Sequence, residues 1–565
     1  MTANASSQRA HDVLRAAVAA GVRHVVLSPG SRSQALALQA AQLEAEGLVE
    51  LHVRTDERTA GFLALGIARA TGVPAAVITT SGSAVANLLP AVLEAHHAGV
   101  PMLLLTADRP ARLRGTRANQ TTRQDLMLLP FLRDHVDVVP LTPTAIEWDA
   151  VAGASRAVWV AQGVTAALDG SVGAGPVQLN LQFEIPLSGT IGEITPPAYP
   201  QPVAPEVEPT SIPLGPRTLV VAGAGAGPVA EAFARQAEAP LIAEIVSGAH
   251  FGPQLVVAYR QLLAIAEFAE SVERVVVFGT PTLSREVPAL LARDDVEVVV
   301  VASPGADEYV PAGRAVQRVA AARPIGAAAA ELREWGQVWV SASRKLRADA
   351  EQTRAVETRQ SGVAYGGHVE DFAAQREYVT NELAAIRAPI DRERLVEAVW
   401  AATWPHDRIV FGASRLVRVA DATLAGKTAQ VFANRGQSGI DGTIATGIGI
   451  ALAAEGGMTR VLLGDLAALH DAGSLRLAPG ERLPAIQVIV GNDHGGTIFD
   501  SLEVAQSADP AAFDRVQLTP HDVDFAALAA AYGWEYRLAE NAGALDQALT
   551  ASSDRPVLIE VPLQR

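Results

Sequence analysis

Residues 461–499 begin with VLLGDLAALHD and end with VIVGNDHGGTIF. Each segment is typical of an apolar strand that ends in a glycine and a polar residue, Asp465 after the first strand and Asn492-Asp493 after the second. Hard oxygen ligands at neighbouring strand ends suit Mg²⁺, and glycines such as Gly495 let the main chain approach phosphate oxygens. The pattern predicts a metal-bound diphosphate group. The simpler alternative is a helix cap and a turn, because Gly-Asp and Asn-Asp turns are common.

Three blocks of the chain alternate apolar strands with helical segments. The predicted strands are HVVLSPG (24–30), LVELHVR (48–54), AAVITTSG (75–82), MLLLTADRP (102–110) and VQLNLQFEIP (177–186) in the first block, TLVVAGAG, PLIAEIV, RVVVFGTPT and VEVVVVAS in the second, and RIVFGAS, TAQVFAN, RVLLGD, AIQVIVGN and PVLIEVP in the third. Continuous apolar strands are typical of parallel sheets that are covered by helices on both faces. We therefore expect an α/β fold with three doubly wound parallel-sheet domains. The predicted organisation is an α/β domain at residues 1–190, a Pro-rich linker at 191–216, a central α/β domain at 217–345, a helical or irregular linker at 346–390 and a third α/β domain at 391–565.

Composition limits the functional classes that are open to this chain of 565 residues. Its formal net charge of −16 argues against nucleic-acid binding and against binding to anionic membranes. The lack of cysteine excludes disulfides and thiol nucleophiles. The sequence has neither an apolar run of about 18 residues nor a signal-peptide pattern, so we expect no membrane insertion and a cytoplasmic location. With only two lysines, arginine must bind any carboxylates and phosphates.

Asp56-Glu57-Arg58 follows a strand and begins a helix. Acidic residues at a helix N-terminus often only cap the helix, which is the simpler interpretation. The residues at 60–66 are small and apolar, so we expect the Glu57 carboxyl group to be buried in an apolar environment from which water is excluded. A buried carboxyl group has a raised pKa and can share a proton with a ring nitrogen, which makes Glu57 a candidate catalytic residue.

Small polar and basic residues recur in loops that follow strands. Ser81, Gly82 and Ser83 join a strand to a helix and are candidate cofactor contacts, although a plain hydroxyl N-cap is the simpler interpretation. Any single arginine in such a loop is more often part of a surface ion pair. Ligands bind beyond the carboxyl ends of parallel strands, however, so repeated arginines there predict a pocket for polyanions. These candidates are Arg32, Arg109, Arg285, Arg418 and Arg435, with the amides Asn119 and Gln120.

These segments resemble the thiamine diphosphate-dependent enzymes. GDL at 464–466 and GNDHGG at 491–496 are similar to the magnesium–diphosphate signature of that family, and DER at 56–58 is similar to the segment with its activating glutamate. Seven motifs resemble one branch, the synthases that join 2-oxoglutarate to isochorismate in menaquinone biosynthesis. They are SPGSRS (28–33), DERTAGFLALG (56–66), TSGSAVANLLPAVLEA (80–95), LTADRP (105–110), ANQTTRQ (118–124), ANRGQSGIDG (433–442) and GDLAALHD (464–471).

The resemblance implies how a metal ion is held. Asp465 holds Mg²⁺ or Mn²⁺ together with a side chain from Asn492 or Asp493 and a nearby main-chain carbonyl. Counting from Asp465 favours Asn492, whereas counting back from the glycine pair favours Asp493 with the Gly495 carbonyl. Leu466 stands where the family signature has glycine.

The resemblance also implies contacts to the cofactor and the substrates. Glu57 pairs with the aminopyrimidine ring nitrogen of thiamine diphosphate, and Ile440 is the apolar wedge that bends the cofactor. Further cofactor contacts are Ser81, Gly82, Ser83, Gly464, Leu466, Asn492 and Ile498. Substrate-facing positions are Ser31, Arg32, Arg109, Asn119, Gln120, Ser414, Arg418, Arg435, Ile498 and Phe499.

The reaction implied by the resemblance is that of a transferase, or carboligase. It decarboxylates 2-oxoglutarate on thiamine diphosphate and adds the succinyl semialdehyde carbanion equivalent to isochorismate. The resemblance also implies a homodimer, or a homotetramer built as a dimer of dimers, with active sites between subunits. Two alternatives stay open. One is an acetolactate-synthase-like enzyme with another acceptor, and the other is a non-catalytic nucleotide-binding protein that uses GAGAGP at residues 223–228.

Overall fold

The computed structural model describes residues 4–140, 148–165, 173–191, 207–303, 305, 309–311, 316–359, 376, 380 and 386–565. Each of the three predicted α/β blocks contains one large parallel sheet. The fold class expected from the sequence is therefore confirmed. The domain boundaries stay a prediction. No helix in the described ranges is long and apolar enough to cross a membrane.

The first sheet is built from six parallel strands. They are β1 His24–Leu27, β2 Glu50–Val53, β3 Ala76–Thr79, β4 Met102–Asp108, β5 Asp134–Val138 and β6 Pro176–Gln182. Their order across the sheet is β2-β1-β3-β4-β6-β5. Val26 and Val77 pack in one hydrophobic core, whereas Val25 and Ile78 pack in another. Both faces of the sheet are thus covered, which explains why β3 and β4 begin with runs of consecutive apolar residues rather than with alternating ones.

The central block contains a five-stranded parallel sheet and a separate parallel pair. Its strands are β7 Thr210–Pro213, β8 Thr218–Ala222, β9 Leu241–Ala243, β10 Arg274–Phe278, β11 Glu297–Val301, β12 Gln317–Val319 and β13 Ala322–Ile325. The larger sheet has the order β12-β11-β10-β8-β9, and β7 pairs with β13.

The third sheet repeats the topology of the first. Its strands are β14 Arg408–Phe411, β15 Gln430–Ala433, β16 Thr459–Gly464, β17 Ile486–Asn492, β18 Glu535–Leu538 and β19 Val557–Pro562. Their order is β15-β14-β16-β17-β19-β18, which is the order of the first sheet when each sheet is numbered from its own first strand. The two outer blocks therefore share one strand arrangement.

Helices connect and cover these strands. In the first block the α-helices are Ala5–Ala19, Gln34–Ala45, Glu57–Thr71, Ser83–Ala86, Leu89–Ala98, Gln124–Met127 and Ala150–Ala161. In the central block they are Val229–Ala237, Tyr259–Leu263, Ala266–Ala269, Glu286–Leu291 and Ala330–Arg359. In the third block they are Arg392–Ala402, Arg415–Thr423, Thr443–Ala453, Asp465–His470, Val504–Ser507, Pro510–Phe513, Phe525–Ala531 and Ala542–Thr550.

Two helices join the outer blocks, because Glu57–Thr71 packs directly across Thr443–Ala453. A Cβ on Gly66 would lie 2.1 Å from the carbonyl oxygen of Thr446, and one on Gly449 would lie 2.1 Å from a carbonyl oxygen of the first helix. Only glycine permits such a close approach of two main chains. Each helix follows the second strand of its own sheet, so equivalent elements of the two blocks meet in one hydrophobic core.

The structure differs from the sequence prediction at several elements. Strands β5, β7, β12, β13 and β18 were not predicted, and all of them lie at a sheet edge or in the two-stranded sheet. Strand β7 falls inside the predicted Pro-rich linker at 191–216. The helix Ala330–Arg359 runs through the predicted boundary between residues 345 and 346.

Candidate active site

The carboxyl ends of β16 and β17 bring Asp465 and Asn492 side by side. Gly464 pairs with Gly491 in the parallel register, so the residue after each glycine stands at the same edge of the sheet. Asp465 is 2% exposed, and its Oδ2 accepts a hydrogen bond from the Gly495 N–H at 2.8 Å. The loop that follows β17 therefore folds over the Asp465 carboxylate.

Negative charge is concentrated at this edge of the sheet. Burial raises the pKa of Asp465, and the nearby carboxylate of Asp493 raises it further. Asp493 pairs with Arg392 at 2.7 Å, and His521 Nε2 lies 3.1 Å from Asp465 Oδ2. A divalent cation beside Asp465 would offset the cost of burying this carboxylate. The donor set at this edge thus suits a hard cation.

Both the nitrogen and the oxygen of the Asn492 side-chain amide form hydrogen bonds. Its Nδ2 donates to Glu560 Oε1 at 2.7 Å, and its Oδ1 accepts the His494 N–H at 3.1 Å. The contact with Glu560 orients the amide so that its oxygen faces the loop at 493–496. The carboxylate of Asp493 is instead held by Arg392 and by the hydroxyl of Thr497 at 2.5 Å.

Packing within the protein requires the two glycines of this loop. Gly495 has a φ of 152°, and a Cβ there would lie 2.5 Å from the carbonyl oxygen of Leu518. A Cβ on Gly496 would lie 2.9 Å from the carbonyl oxygen of Gln517. Close approach to phosphate, the reason expected from the sequence, is therefore not the only reason for glycine at these positions.

A second group of candidate residues lies at the carboxyl ends of β3 and β4. Arg109 donates to the Gln120 carbonyl at 2.8 Å and to Ser81 Oγ at 2.5 Å. Gln120 Nε2 donates to the Ser81 carbonyl at 2.9 Å, and the Gly82 N–H donates to Gln124 Oε1 at 2.9 Å. The loop at 118–124 is thus bound to the end of β3. Ser83 is exposed at the start of the next helix.

Arg32 joins this second group from the loop after β1. Burial lowers the pKa of its guanidinium, and the nearby charge of Arg109 lowers it further. Arg32 also donates to the Phe183 carbonyl at 3.1 Å. Two adjacent guanidiniums are a suitable site for a carboxylate, whose negative charge relieves their repulsion. Asn119 is exposed on the neighbouring loop.

Glu57 begins its helix, but Asp56 is the residue that caps it. The Asp56 side chain accepts the Arg58 N–H at 2.8 Å, so the capping interpretation applies to Asp56. Glu57 Oε2 accepts a hydrogen bond from Asn87 Nδ2 at 3.3 Å. Glu57 is half-buried, so the single chain does not give it the dry surroundings that the sequence predicted.

The third block places further candidates on or near the helix Arg415–Thr423. Ser414 Oγ caps this helix, and Arg418 is exposed and donates to the Ser414 carbonyl at 3.1 Å. Ile440 is 39% exposed, which leaves an apolar surface in front of the helix Thr443–Ala453. Ile498 is half-buried in the segment that follows the loop at 493–496, and so is its neighbour Phe499.

Arg435 faces the central block. Its Nε and Nη2 donate to Thr282 Oγ1 at 3.0 and 2.7 Å. The neighbouring Glu244 is fully buried, and its Oε1 accepts the N–H groups of Thr282 and Leu283 at 2.7 and 2.6 Å. Burial, followed by the charge of Asp421, raises the pKa of Glu244 to about 8. In the single chain Arg435 therefore makes a contact between blocks.

We expect Glu244→Gln to stabilise the protein more at pH 8 than at pH 5. The folded chain keeps Glu244 protonated up to a pKa of about 8, whereas the unfolded chain loses this proton near pH 4.5. The stability contributed by the protonated group is full below the unfolded pKa and is lost as the pH rises toward the folded one. Gln carries no such charge, so the stability of Glu244→Gln relative to the wild type should rise steadily from pH 5 to pH 8.

Thermal unfolding of the wild type and of Glu244→Gln between pH 5 and pH 8 measures this effect. The exposed Glu46→Gln is the matched control and should show no such trend. A Tm difference that stays constant over this pH range would contradict the assignment.

No hydrogen bond or ion pair within the described part of the chain joins the Ser81–Arg109 group to the Asp465 group. The outer blocks meet elsewhere. Arg58 donates to the His470 carbonyl at 2.9 Å, and the hydroxyl oxygens of Thr59 and Ser474 lie 2.9 Å apart. The two sets of candidate residues thus remain separate sites in one chain.

Four residues at these sites were missed by sequence reasoning. His521 contacts Asp465 from 56 positions away, and Glu560 holds Asn492 from 68 positions away. Arg392 pairs with Asp493 across 101 positions. No short motif contains both members of any of these pairs. Asn87, which contacts Glu57, does lie in a quoted motif, TSGSAVANLLPAVLEA.

The glycine run GAGAGP at residues 223–228 is a tight turn that the protein itself fills. A Cβ on Gly223 would lie 2.1 Å from the Pro281 nitrogen. Ala224 and Thr280 exchange main-chain hydrogen bonds at 3.0 and 2.9 Å. The glycines therefore serve the close packing of two loops, which favours the plain turn over a dinucleotide site.

Two families of domains match the outer blocks of the chain. Residues 8–128 match the thiamine pyrophosphate enzyme, N-terminal TPP binding domain, and residues 418–561 match the thiamine pyrophosphate enzyme, C-terminal TPP binding domain. Thiamine pyrophosphate is another name for thiamine diphosphate. The paired α/β blocks, the carboxylate and amide at the β16–β17 edge and these matches define a thiamine diphosphate-dependent enzyme.

Relatives match over almost their whole length. A 2-succinyl-5-enolpyruvyl-6-hydroxy-3-cyclohexene-1-carboxylate synthase from Leifsonia xyli subsp. xyli is 52% identical over 100% of this chain and 97% of its own. The synthase of the same name from Clavibacter michiganensis subsp. michiganensis is also 52% identical, with the same coverage. That from Kineococcus radiotolerans is 46% identical over 97% of this chain and 94% of its own. The chain belongs to this family of 2-succinyl-5-enolpyruvyl-6-hydroxy-3-cyclohexene-1-carboxylate synthases.

Proposed function

We propose that this transferase decarboxylates 2-oxoglutarate on thiamine diphosphate and joins the remaining four-carbon unit to isochorismate. The products are 2-succinyl-5-enolpyruvyl-6-hydroxy-3-cyclohexene-1-carboxylate and CO₂, in menaquinone biosynthesis. The observation that supports this proposal most directly is the buried carboxylate of Asp465 beside the oriented amide of Asn492. The name shared by the relatives supports the choice of substrates.

The β16–β17 edge fits a diphosphate group held by Mg²⁺ or Mn²⁺. Asp465, Asn492 and the main-chain carbonyl of Gly495 would hold the cation, with Asp493 as the alternative side chain. The repulsion between Asp493 and Asp465 favours a cation at this place. The main chain of Gly464 and Leu466 would border the diphosphate. When bound, thiamine diphosphate supplies the electron sink for the decarboxylation.

The first block would bind the other half of the cofactor. Glu57 would hold the proton that is shared with the pyrimidine ring nitrogen of bound cofactor, and Asn87 Nδ2 donates a hydrogen bond that holds its carboxyl group in place. The turn formed by Ser81, Gly82 and Ser83 offers small polar groups beside the ring. Ile440 and Ile498 provide apolar contacts from the third block, and their partial exposure supports this role.

Arginines and amides would bind the carboxylates of the substrates. Arg32 and Arg109 form one cationic pair, and Asn119 and Gln120 border it. Ser414 and Arg418 form a second polar pair in the third block. Fixed guanidinium groups bind carboxylates in a bidentate manner, so each also orients its substrate. We place Arg435 in the wall of the site, because its contact with Thr282 fixes it there.

We further propose a homodimer, or a dimer of dimers, in which each active site lies between subunits. The support is that no hydrogen bond or ion pair within the described part of one chain joins the Ser81–Arg109 group to the Asp465 group. The exposure of Ile440 supports an apolar contact with another molecule. A cytoplasmic location stays a prediction. Sedimentation of the holoenzyme tests the oligomeric state.

A coupled assay tests the proposed reaction. The purified chain is incubated with thiamine diphosphate, Mg²⁺, 2-oxoglutarate and isochorismate, and the product is identified by mass. We expect CO₂ release and a single adduct of both substrates. Product from pyruvate, with no product from 2-oxoglutarate, would assign the chain to an acetolactate-synthase-like reaction instead. Titration with NAD in place of thiamine diphosphate tests the nucleotide-binding alternative.

We expect Asn492→Ala to weaken Mg²⁺-dependent cofactor binding more than Asp493→Ala does. The amide oxygen of Asn492 is oriented by Glu560, whereas the carboxylate of Asp493 is held by Arg392. Loss of a ligand should cost more than the roughly 10–100-fold that is typical of residues that only orient ligands. Calorimetric titration with thiamine diphosphate at several Mg²⁺ concentrations measures both variants. The reverse order would make Asp493 the ligand.

A further inference from the structure

Two histidines and a glutamate meet at the beginning of the first two strands. His24 is the first residue of β1, and Glu50 and His52 lie on the neighbouring β2. His24 pairs with Glu50 in the register of these strands. One ligand atom from each of the three side chains lies within 4.8 Å of the other two. This cluster is at the amino-terminal edge of the sheet, whereas the loops with Arg32 and Glu57 leave the carboxyl edge.

The spacing of the nitrogens fits a shared metal ion. His24 Nδ1 lies 3.2 Å from His52 Nε2. Two nitrogens bound to Zn²⁺ at about 2.0–2.1 Å with tetrahedral geometry lie about 3.3 Å apart. His52 is 2% exposed, His24 is half-buried and the Glu50 side chain is 45% exposed, so the cluster has a buried wall and an open side. An open side leaves room for a water ligand.

The second ring nitrogen of His52 is buried beside a carboxylate. With Nε2 turned to His24, the Nδ1 of His52 lies 4.0 Å from Glu481 Oε2 and has no hydrogen-bond partner among the described residues. Glu481 is fixed by Arg54 at 2.8 Å and by the Val53 N–H at 2.6 Å. At this distance Glu481 acts on His52 through its charge, which favours a cation at the cluster, and does not form the hydrogen bond that fixes the tautomer of many metal-binding histidines.

The guanidinium of Arg482 would compete with a metal ion for the Glu50 carboxylate. Arg482 lies 3.0 Å from Glu50 Oε2, and its own side chain is 47% exposed. Because it is partly solvated, Arg482 can leave Glu50 at little cost when a metal ion takes its position. Glu481 and Arg482 both belong to the third block, so the cluster lies where the two outer blocks meet.

We propose that His24, Glu50 and His52 form a binding site for a divalent transition-metal ion of the Zn²⁺ type, with water as the fourth ligand. The site is separate from the Mg²⁺ position at Asp465. Imidazole nitrogens favour Zn²⁺, Ni²⁺ or Cu²⁺, whereas an all-oxygen site favours Mg²⁺. A bound ion would link His24 on β1 to Glu50 and His52 on β2.

The test titrates Zn²⁺ into the full chain, freed of tags and metals and then saturated with thiamine diphosphate and Mg²⁺. Saturation fills the Asp465 position, so additional Zn²⁺ reports the new site. We expect one equivalent per chain. Glu50→Gln and His24→Gln should weaken Zn²⁺ binding by about 100-fold or more. Arg482→Gln should tighten it several-fold, because the competing cation is gone. His406→Gln, at an exposed histidine elsewhere, is the matched control.

Thermal unfolding gives an independent readout. Zn²⁺ should raise the Tm of the wild type and of His406→Gln, but not that of Glu50→Gln. The ion pair between Glu50 and Arg482 is partly solvated, so Glu50→Gln should shift the Tm of the metal-free protein only slightly. If no saturable equivalent binds, or if Glu50→Gln binds Zn²⁺ as the wild type does, the cluster is only a pair of hydrogen-bonded histidines and the proposal is wrong.

Discussion

Replacement of Glu57 by Gln is expected to lower turnover by about 10²–10⁴-fold while the cofactor still binds. Gln has the size of Glu and keeps the contact with Asn87, so the helix start and its Asp56 cap remain. It cannot exchange a proton with the pyrimidine ring nitrogen. The change should therefore appear in kcat rather than in cofactor affinity.

Steady-state kinetics and calorimetric titration with thiamine diphosphate separate these two effects. Glu46→Gln, the same change at an exposed position of the same block, should leave kcat unchanged. If Glu57→Gln turns over at the wild-type rate, Glu57 is not the proton-exchanging residue. If it loses cofactor binding in the same proportion as kcat, its role is binding alone.

The sequence predicted the central strands of the sheets but not several edge strands, and burial explains the difference. Strand β16 reads TRVLLG and is buried at all but its last position. Strand β5 reads DHVDV, and only its last residue is buried. An edge strand is covered by fewer neighbours, so polar residues are tolerated and the apolar run that predicts a strand is absent. Strand β18, EYRL, is missed for the same reason.

The candidate site shows a similar limit. Asp465, Asn492 and Asp493 are readable from the sequence because each directly follows a predicted strand. Glu560 is not, because it lies on β19 and reaches Asn492 only because β19 stands beside β17 in the sheet. That neighbour relation is a property of strand order, which local patterns do not specify.

Arg435 illustrates the same limit between blocks. Its position after a strand predicts a substrate contact, but the central block packs against it and provides Thr282 as its partner. Where two blocks meet depends on the shapes of both surfaces. A motif within one of them does not contain this information.

Removal of the Asp465 charge is expected to abolish Mg²⁺-dependent retention of thiamine diphosphate. Asp465→Ala removes the ligand but also leaves the buried Gly495 N–H without its acceptor, which costs about 1–3 kcal/mol. Asp465→Asn removes the charge and keeps one acceptor oxygen, but its NH₂ group replaces the other oxygen, so only one of the N–H groups of Leu466 and Gly495 retains its acceptor. We expect both variants to lose cofactor affinity by about 100-fold or more. Asp465→Asn measures the effect of the lost charge more directly than Asp465→Ala, because it keeps the size of the side chain.

The stability of these variants separates a metal ligand from a structural carboxylate. Burial and Asp493 raise the pKa of Asp465, so the metal-free fold bears a cost for its charge that Asn removes. This gain opposes the loss of one N–H acceptor, so the metal-free Asp465→Asn protein should unfold close to the wild-type temperature. In the presence of Mg²⁺ and thiamine diphosphate the wild type should gain stability by mass action, whereas the Asp465 variants should not. Asp554→Asn, at an exposed turn of the same block, should behave as the wild type does. Cofactor affinity that is unchanged in Asp465→Asn would remove this residue from the metal site, because a hard divalent cation that binds through its carboxylate cannot be indifferent to the loss of that charge.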